Sequence, residues 1–342
     1  MAAGDGYSWS SLAAMPTKRV FSVPMEVDGK LYVIGGCDQR GVPLDSFEVY
    51  TPSNGKWKRL MNMPTKRAAP AVVAVDKKIV VMGGVSVSQE PLNVVEVYDT
   101  EEKKWLPDRE SLRDRLLGLS AFEREGKVYA IGGMAYDTNP RDYLMCYDVT
   151  KNRWANLPSM PTPRYATFSF LKGNKLYVIG GRQGKLPVAA FEVFDFETLK
   201  WKQLPDVPSK RVFALYTSTD KKIFSMGGLN QNAQQGFSDA CETFDLEKEE
   251  WTTGEPLPTK RGDFAIGVLG NKVVAAGGIG NQGKPLSCAE AYDWEENKWT
   301  TLSDIPTAHC SCAYTMFNGK LHIIGGLSLN GPSAAMEVLS FQ

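Results

Sequence analysis

Short, unbroken apolar runs recur along the chain, and each ends in two glycines. Leu31-Tyr32-Val33-Ile34 precedes Gly35-Gly36, and Ile79-Val80-Val81-Met82 precedes Gly83-Gly84. Four consecutive apolar residues without alternation predict a strand buried on both faces. No segment keeps a helical period over ten residues.

The runs form a repeat. Gly-Gly pairs occupy Gly35-Gly36, Gly83-Gly84, Gly132-Gly133, Gly180-Gly181, Gly227-Gly228, Gly277-Gly278 and Gly325-Gly326. Tryptophans keep step at Trp9, Trp57, Trp105, Trp154, Trp201, Trp251 and Trp299, and only Trp294 lies outside the series. Both markers advance by 47 to 50 residues. Two independent markers in register over seven copies define the architecture.

Each unit predicts four strands. In the first, strand a follows an arginine (Arg19 to Val23), and Asp28-Gly29-Lys30 supplies a tight turn. Strand b is Leu31 to Ile34, strand c is Phe47 to Tyr50, and strand d lies at Trp57. Such a unit cannot bury both faces alone, but seven stacked radially can. The expected fold is an all-β, seven-bladed propeller with four-stranded blades. Glycine relieves crowding behind strand b, and tryptophan fills the space between blades. The last Gly-Gly has no tryptophan after it, and Trp9 has no Gly-Gly before it. The strand around Trp9 is therefore expected to complete the last blade and remove its open edge. The whole of 1–342 is read as one propeller with no second domain.

Composition narrows the function. Of 342 residues, 39 are Lys or Arg and 39 are Asp or Glu, and this zero net charge argues against broad nucleic-acid or anionic-membrane binding. No apolar run reaches the roughly 20 residues that span a bilayer. Met1 to Ser11 lacks a signal-peptide pattern. The six cysteines are read as reduced thiols in a cytosolic chain.

Gly83-Gly84, then Glu96-Val97-Tyr98-Asp99, then Trp105 resembles the kelch repeat, and the resemblance runs over essentially the whole chain. The stretch 157–195, Arg261-Gly262-Asp263-Phe264, Gly280-Asn281-Gln282 and Cys310-Ser311-Cys312 are similar to the kelch-only kelch domain-containing protein 8 group. The resemblance implies a non-catalytic, cytoplasmic scaffold that binds proteins, with a role in cell division, cytokinesis included, and midbody or cytoskeletal association. It also leaves two alternatives: actin binding, or substrate recognition for a ubiquitin ligase assembled in trans. BTB and F-box modules are absent from the sequence. No cofactor, metal, nucleic acid or membrane partner is expected, and the chain is read as a monomer.

The a–b turns are uniform, with a lysine five residues before each Gly-Gly pair. The b–c loops vary, and variable loops on a rigid frame are where recognition sits. The expected partner face is therefore the one carrying the b–c and d–a loops. Its loop candidates are Arg40, Tyr136, Arg141, Arg182, Lys185, Asn281 and Gln282. In kelch proteins with peptide pockets, residues just after the repeat arginine line the pocket. That carries over Phe21, Tyr165, Phe213 and Asp263, the three aromatics as anchors.

The repeat arginines (Arg19, Arg67, Arg115, Arg164, Arg211, Arg261) are open to two readings: a cationic surface, or pins for their own loops. Recurrence at one position favours pins. Strict pairing with the repeat glutamates (Glu48, Glu96, Glu192, Glu242, Glu290, Glu337) is not expected, since blade three has Met145 in the glutamate position and blade seven has His309 in the arginine position. His309-Cys310-Ser311-Cys312 alternates faces on a strand, which argues against a metal cluster. The pattern Gly278 to Gly283 has no helix after it and so loses its phosphate-binding logic. With only two histidines, His309 and His322, neither a copper-radical site nor a Ser-His-Asp triad can be assembled.

Overall fold

The computed structural model describes residues 5–342; the first four residues of the expected 1–342 propeller lie outside the described residues. Seven four-stranded antiparallel sheets account for the repeat. Six follow chain order a-b-c-d. Blade one has strands Val23–Val27, Lys30–Ile34, Phe47–Thr51 and Lys56–Arg59. Blades two to six repeat this plan, and strand b begins with a lysine in all seven blades. The only helical element among the described residues is a three-residue 3-10 turn, Ala233–Gln235.

Blade seven is completed from the other end of the chain. Its strands Ala313–Phe317, Lys320–Ile324 and Met336–Phe341 are joined by Tyr7–Leu12 as strand d. Trp9 pairs with Leu339, as expected for a closing strand. Tyr7 adds an anchor: its hydroxyl donates to Leu269 O at 2.6 Å, and burial pushes its pKa up to about 12.

The chain divides into two compact units. In the unit containing residues 23–49 and 58–206, the core lies between successive blades. One cluster joins Val73, Val80 and Val97 of blade two to Val128, Met145 and Tyr147 of blade three. Another joins Ile34 and Phe47 of blade one to Val72 and Tyr98 of blade two. In the unit containing residues 5–22, 50–57 and 207–342, Val274 and Ala291 of blade six pack with Leu321, Ile323 and Leu339 of blade seven.

The tryptophans tie neighbouring blades by hydrogen bond as well as by bulk. Trp105 Nε1 donates to Met61 O at 3.0 Å, Trp154 Nε1 to Glu110 O at 3.0 Å and Trp299 Nε1 to Glu255 O at 2.8 Å. Each carbonyl belongs to the loop leaving the preceding blade. The Gly-Gly pairs make the reciprocal tie. Gly36 N donates to Arg67 O at 3.1 Å, across to the start of the next blade. A Cβ on Gly35 (φ 62°) would stand 2.6 Å from that same carbonyl, so no side chain fits.

One expectation is corrected. Strand a does not begin at the repeat arginine; it begins several residues later, at Val23 in blade one and Phe168 in blade four. The intervening residues make isolated bridges, or in blade five the two-residue strand Arg211–Val212, and then turn sharply. The second residue after the arginine position has positive φ in every blade: Phe21, Ala69, Gly118, Ala166, Phe213, Asp263 and Ser311. A continuous strand cannot pass through that conformation.

Candidate functional site

The arginine position is an interior one. Arg19, Arg67, Arg164 and Arg261 have no exposed surface, and Arg211 is nearly as buried. Arg164 shows the full arrangement: Nη1 donates to Gly180 O at 3.2 Å and to Ala190 O, and Nη2 donates to Glu192 Oε1 at 2.7 Å. Thr162 Oγ1 donates to the other carboxylate oxygen at 2.8 Å. Arg67 with Glu96, Arg211 with Glu242 and Arg261 with Glu290 repeat the pairing. Both charges are thereby compensated away from water.

Arginine pairs with glutamate in blades two, four, five and six, and the other blades vary the theme. In blade seven His309 fills the arginine position, with Nδ1 on Gly325 O and Nε2 2.8 Å from Glu337 Oε2. In blade three the position belongs to Leu116, not Arg115. Gly84 N donates to Leu116 O, as Gly36 N does to Arg67 O. Arg115 is exposed one residue earlier. Leu116 and Met145 share one apolar cluster, so both members of the ion pair are replaced together. The missing glutamate at Met145 was the available signal; variable loop length hid the register.

What reaches the surface is the positive-φ turn. Phe21 is 48% exposed and Phe213 49%. Their neighbours at the same position are hydrogen-bonded to them. Asp263 N donates to Phe213 O at 3.1 Å, Phe21 N donates to Ser311 O at 3.1 Å, and Ser311 Oγ donates to Asp263 Oδ2. In the other unit the same bond runs from Ala166 N to Gly118 O at 2.7 Å. A bulky side chain in the left-handed region costs about 1–2 kcal/mol, so two half-exposed phenylalanines there are conspicuous.

Three other expected contact residues are already engaged. Tyr165 is only 9% exposed, and its hydroxyl donates to Gly184 O at 2.5 Å. Arg141 is held by Asp114 at 2.9 Å and Asp137 at 3.1 Å. Asn281 Oδ1 accepts from Phe237 N at 2.8 Å, clamping the b–c loop of blade five to blade six. Arg182 lies 5.7 Å from the Tyr165 ring and pairs with it through the backbone. Arg40, Lys185 and Gln282 are exposed, and Tyr136 is 61% exposed at its loop tip. Ser311, the turn residue of blade seven, positions Asp263 through its hydroxyl.

The cysteines are all unbridged. Burial pushes the Cys310 thiol up to about 11 and the Cys312 thiol higher still, which disfavours a reactive thiolate. His309 is committed to Glu337 and Gly325, so it does not converge with Cys310 and Cys312. Among the described residues no group of three or more His, Cys, Asp or Glu could hold a metal ion. Likewise no helix is long and apolar enough to cross a membrane.

Comparison with known proteins agrees with this frame. Residues 118–328 match the KLHDC2/KLHL20/DRC7 Kelch-repeats domain, and residues 18–64 and 66–107 match the Kelch motif. The chain belongs to the kelch-repeat family. Its kelch repeats are 44% identical over 118 residues to Kelch domain-containing protein 8B of Rattus norvegicus, covering 32% of this chain and 33% of the relative. The Kelch-like protein terF of Aspergillus terreus is 28% identical over 177 residues, covering 47% of this chain and 38% of that protein. The matched part thus spans about a third of the length of these relatives. The solved structure of YjhT superposes with a TM-score of 0.67 at 17% identity, covering 85% of this chain and 99% of that one. With the seven sheets, this makes the kelch chain a seven-bladed β-propeller.

Proposed function

We propose that this kelch chain is a protein-docking module whose contact face carries the d–a and b–c loops. The observation that supports this most is the pair Phe21 and Phe213. Both are half exposed on a strained backbone position where glycine or alanine serves other blades. Aromatic side chains so placed are anchors for a partner, since exposed rings on a rigid frame gain by burial at little entropic cost. The buried Arg–Glu pairs hold that frame and leave recognition to the turn residues and loop tips. Gln282 extends the proposed face in the same unit, and Arg40, Tyr136, Arg182 and Lys185 are the loop candidates of the other unit. The single-propeller reading of 1–342, the cytoplasmic setting and the role in cell division rest on the resemblance to the kelch domain-containing protein 8 group.

Proximity labelling in cells tests the face. A chain carrying Phe21→Ala and Phe213→Ala is expected to fold as the parent does and to lose most labelled partners. Identical partner sets for parent and variant would place docking elsewhere.

A further inference from the structure

The turn residues of blades five, six, seven and one form a lip: Phe213, Asp263, Ser311 and Phe21. Backbone hydrogen bonds join Asp263 to Phe213 and Phe21 to Ser311, and the Ser311 hydroxyl donates to the Asp263 carboxylate. The turns that carry the two half-exposed rings are thereby linked through Asp263 and Ser311.

That carboxylate is unusual in its surroundings. Asp263 is half-buried, and among the described residues it forms no salt bridge. Its donors are the hydroxyl and backbone N–H of Ser311. Burial holds its carboxyl above the usual range. The buried glutamates of blades two, four, five, six and seven each have an arginine or histidine. A partly desolvated carboxylate without a counter-ion is costly to keep. The fold does not require it, since alanine, glycine or serine fills the same turn in other blades. Two half-exposed phenylalanines at positive φ and one carboxylate without a salt bridge therefore meet in one lip.

We propose that this lip binds a partner segment in which a lysine or arginine stands among apolar side chains, the cation on Asp263 and the apolar groups on Phe21 and Phe213. This rests on the docking-face reading above and gives that face its chemistry. The cation supplies the missing counter-ion through a charge-assisted hydrogen bond, and the ring faces are also attractive to it. Lys210 and Lys260, exposed on the loops of blades five and six, weigh the other way and would favour an acidic segment.

Affinity selection from a randomised peptide library on the immobilised chain decides between them. The expected result is enrichment of Lys or Arg beside aromatic or aliphatic residues. Recovered peptides should bind Asp263→Asn about ten-fold more weakly, the loss of one charge-assisted contact. Glu295→Gln, on a c–d turn, should bind them as the parent does. Enrichment of Asp or Glu, or equal binding by parent and Asp263→Asn, overturns the proposal. If recovered peptides depend on Phe213 and not on Asp263, the docking face stands and the cationic specificity falls. If they depend on neither Phe21, Phe213 nor Asp263, both fall.

Discussion

Arg164 donates to Glu192 at 2.7 Å with both side chains fully buried, and the equivalent positions of blade three hold Leu116 and Met145. One frame thus accepts either a compensated ion pair or an apolar pair. A mixed pair would leave a buried charge alone. Arg164→Leu or Glu192→Met singly is expected to cost about 3–5 kcal/mol, and the double substitution to recover most of it. Chemical denaturation of the four chains measures the coupling; additive losses would contradict it.

The turn phenylalanines predict a separation of stability from binding. Replacing Phe213 by glycine relieves a left-handed backbone cost of about 1–2 kcal/mol, against a loss of modest packing. The Tm of Phe213→Gly is therefore expected to hold or rise while partner capture falls. A Tm drop of more than a few degrees would mean the ring packs for stability.

Asp263 gives a pH dependence with a definite sign. Its carboxyl titrates above the ordinary range because of burial, so the fold favours the neutral acid. That contribution is full below the unfolded-state range and is lost as pH rises through the raised value. Asp263→Asn should match the parent in Tm near about pH 4 and exceed it near about pH 7, by on the order of 1–2 °C. Equal Tm values at both would show that Ser311 already compensates the charge.

Blade seven depends on a strand from the far end of the chain. Deleting residues 1–12 removes the pairing of Tyr7–Leu12 with Met336–Phe341, together with the Tyr7 bond to Leu269. An unpaired strand c is an exposed edge. Light scattering is expected to show association of the truncated chain at concentrations where the parent is monodisperse. Tyr7→Phe should cost about 1 kcal/mol without association.

The fold was legible because its markers are enforced by geometry that tolerates no alternative. Gly35 cannot carry a side chain beside Arg67 O, and Trp105 must reach Met61 O. The start of strand a was not legible, because Val20 and Phe21 read as strand-forming while the backbone turns there. The Arg–Glu pairing was obscured by a one-residue offset at Arg115. The candidate site was legible in part. Phe21 and Phe213 are apolar at a surface position, but the bonds that engage Tyr165, Arg141 and Asn281 come from loop partners that no periodicity announces.

The strand pairing of Tyr7–Leu12 also bears on where the chain could be cut. Gln342 N lies 3.0 Å from Gly6 O, so the described ends meet where the other blades have a c–d turn. Six such turns are the same joint with the peptide intact. A short linker from residue 342 to residue 5, with new ends opened at Glu101 to Lys103, would leave the tryptophan and Gly-Gly ties described above in place. A permutant joined in this way should keep the four-stranded sheet of blade seven.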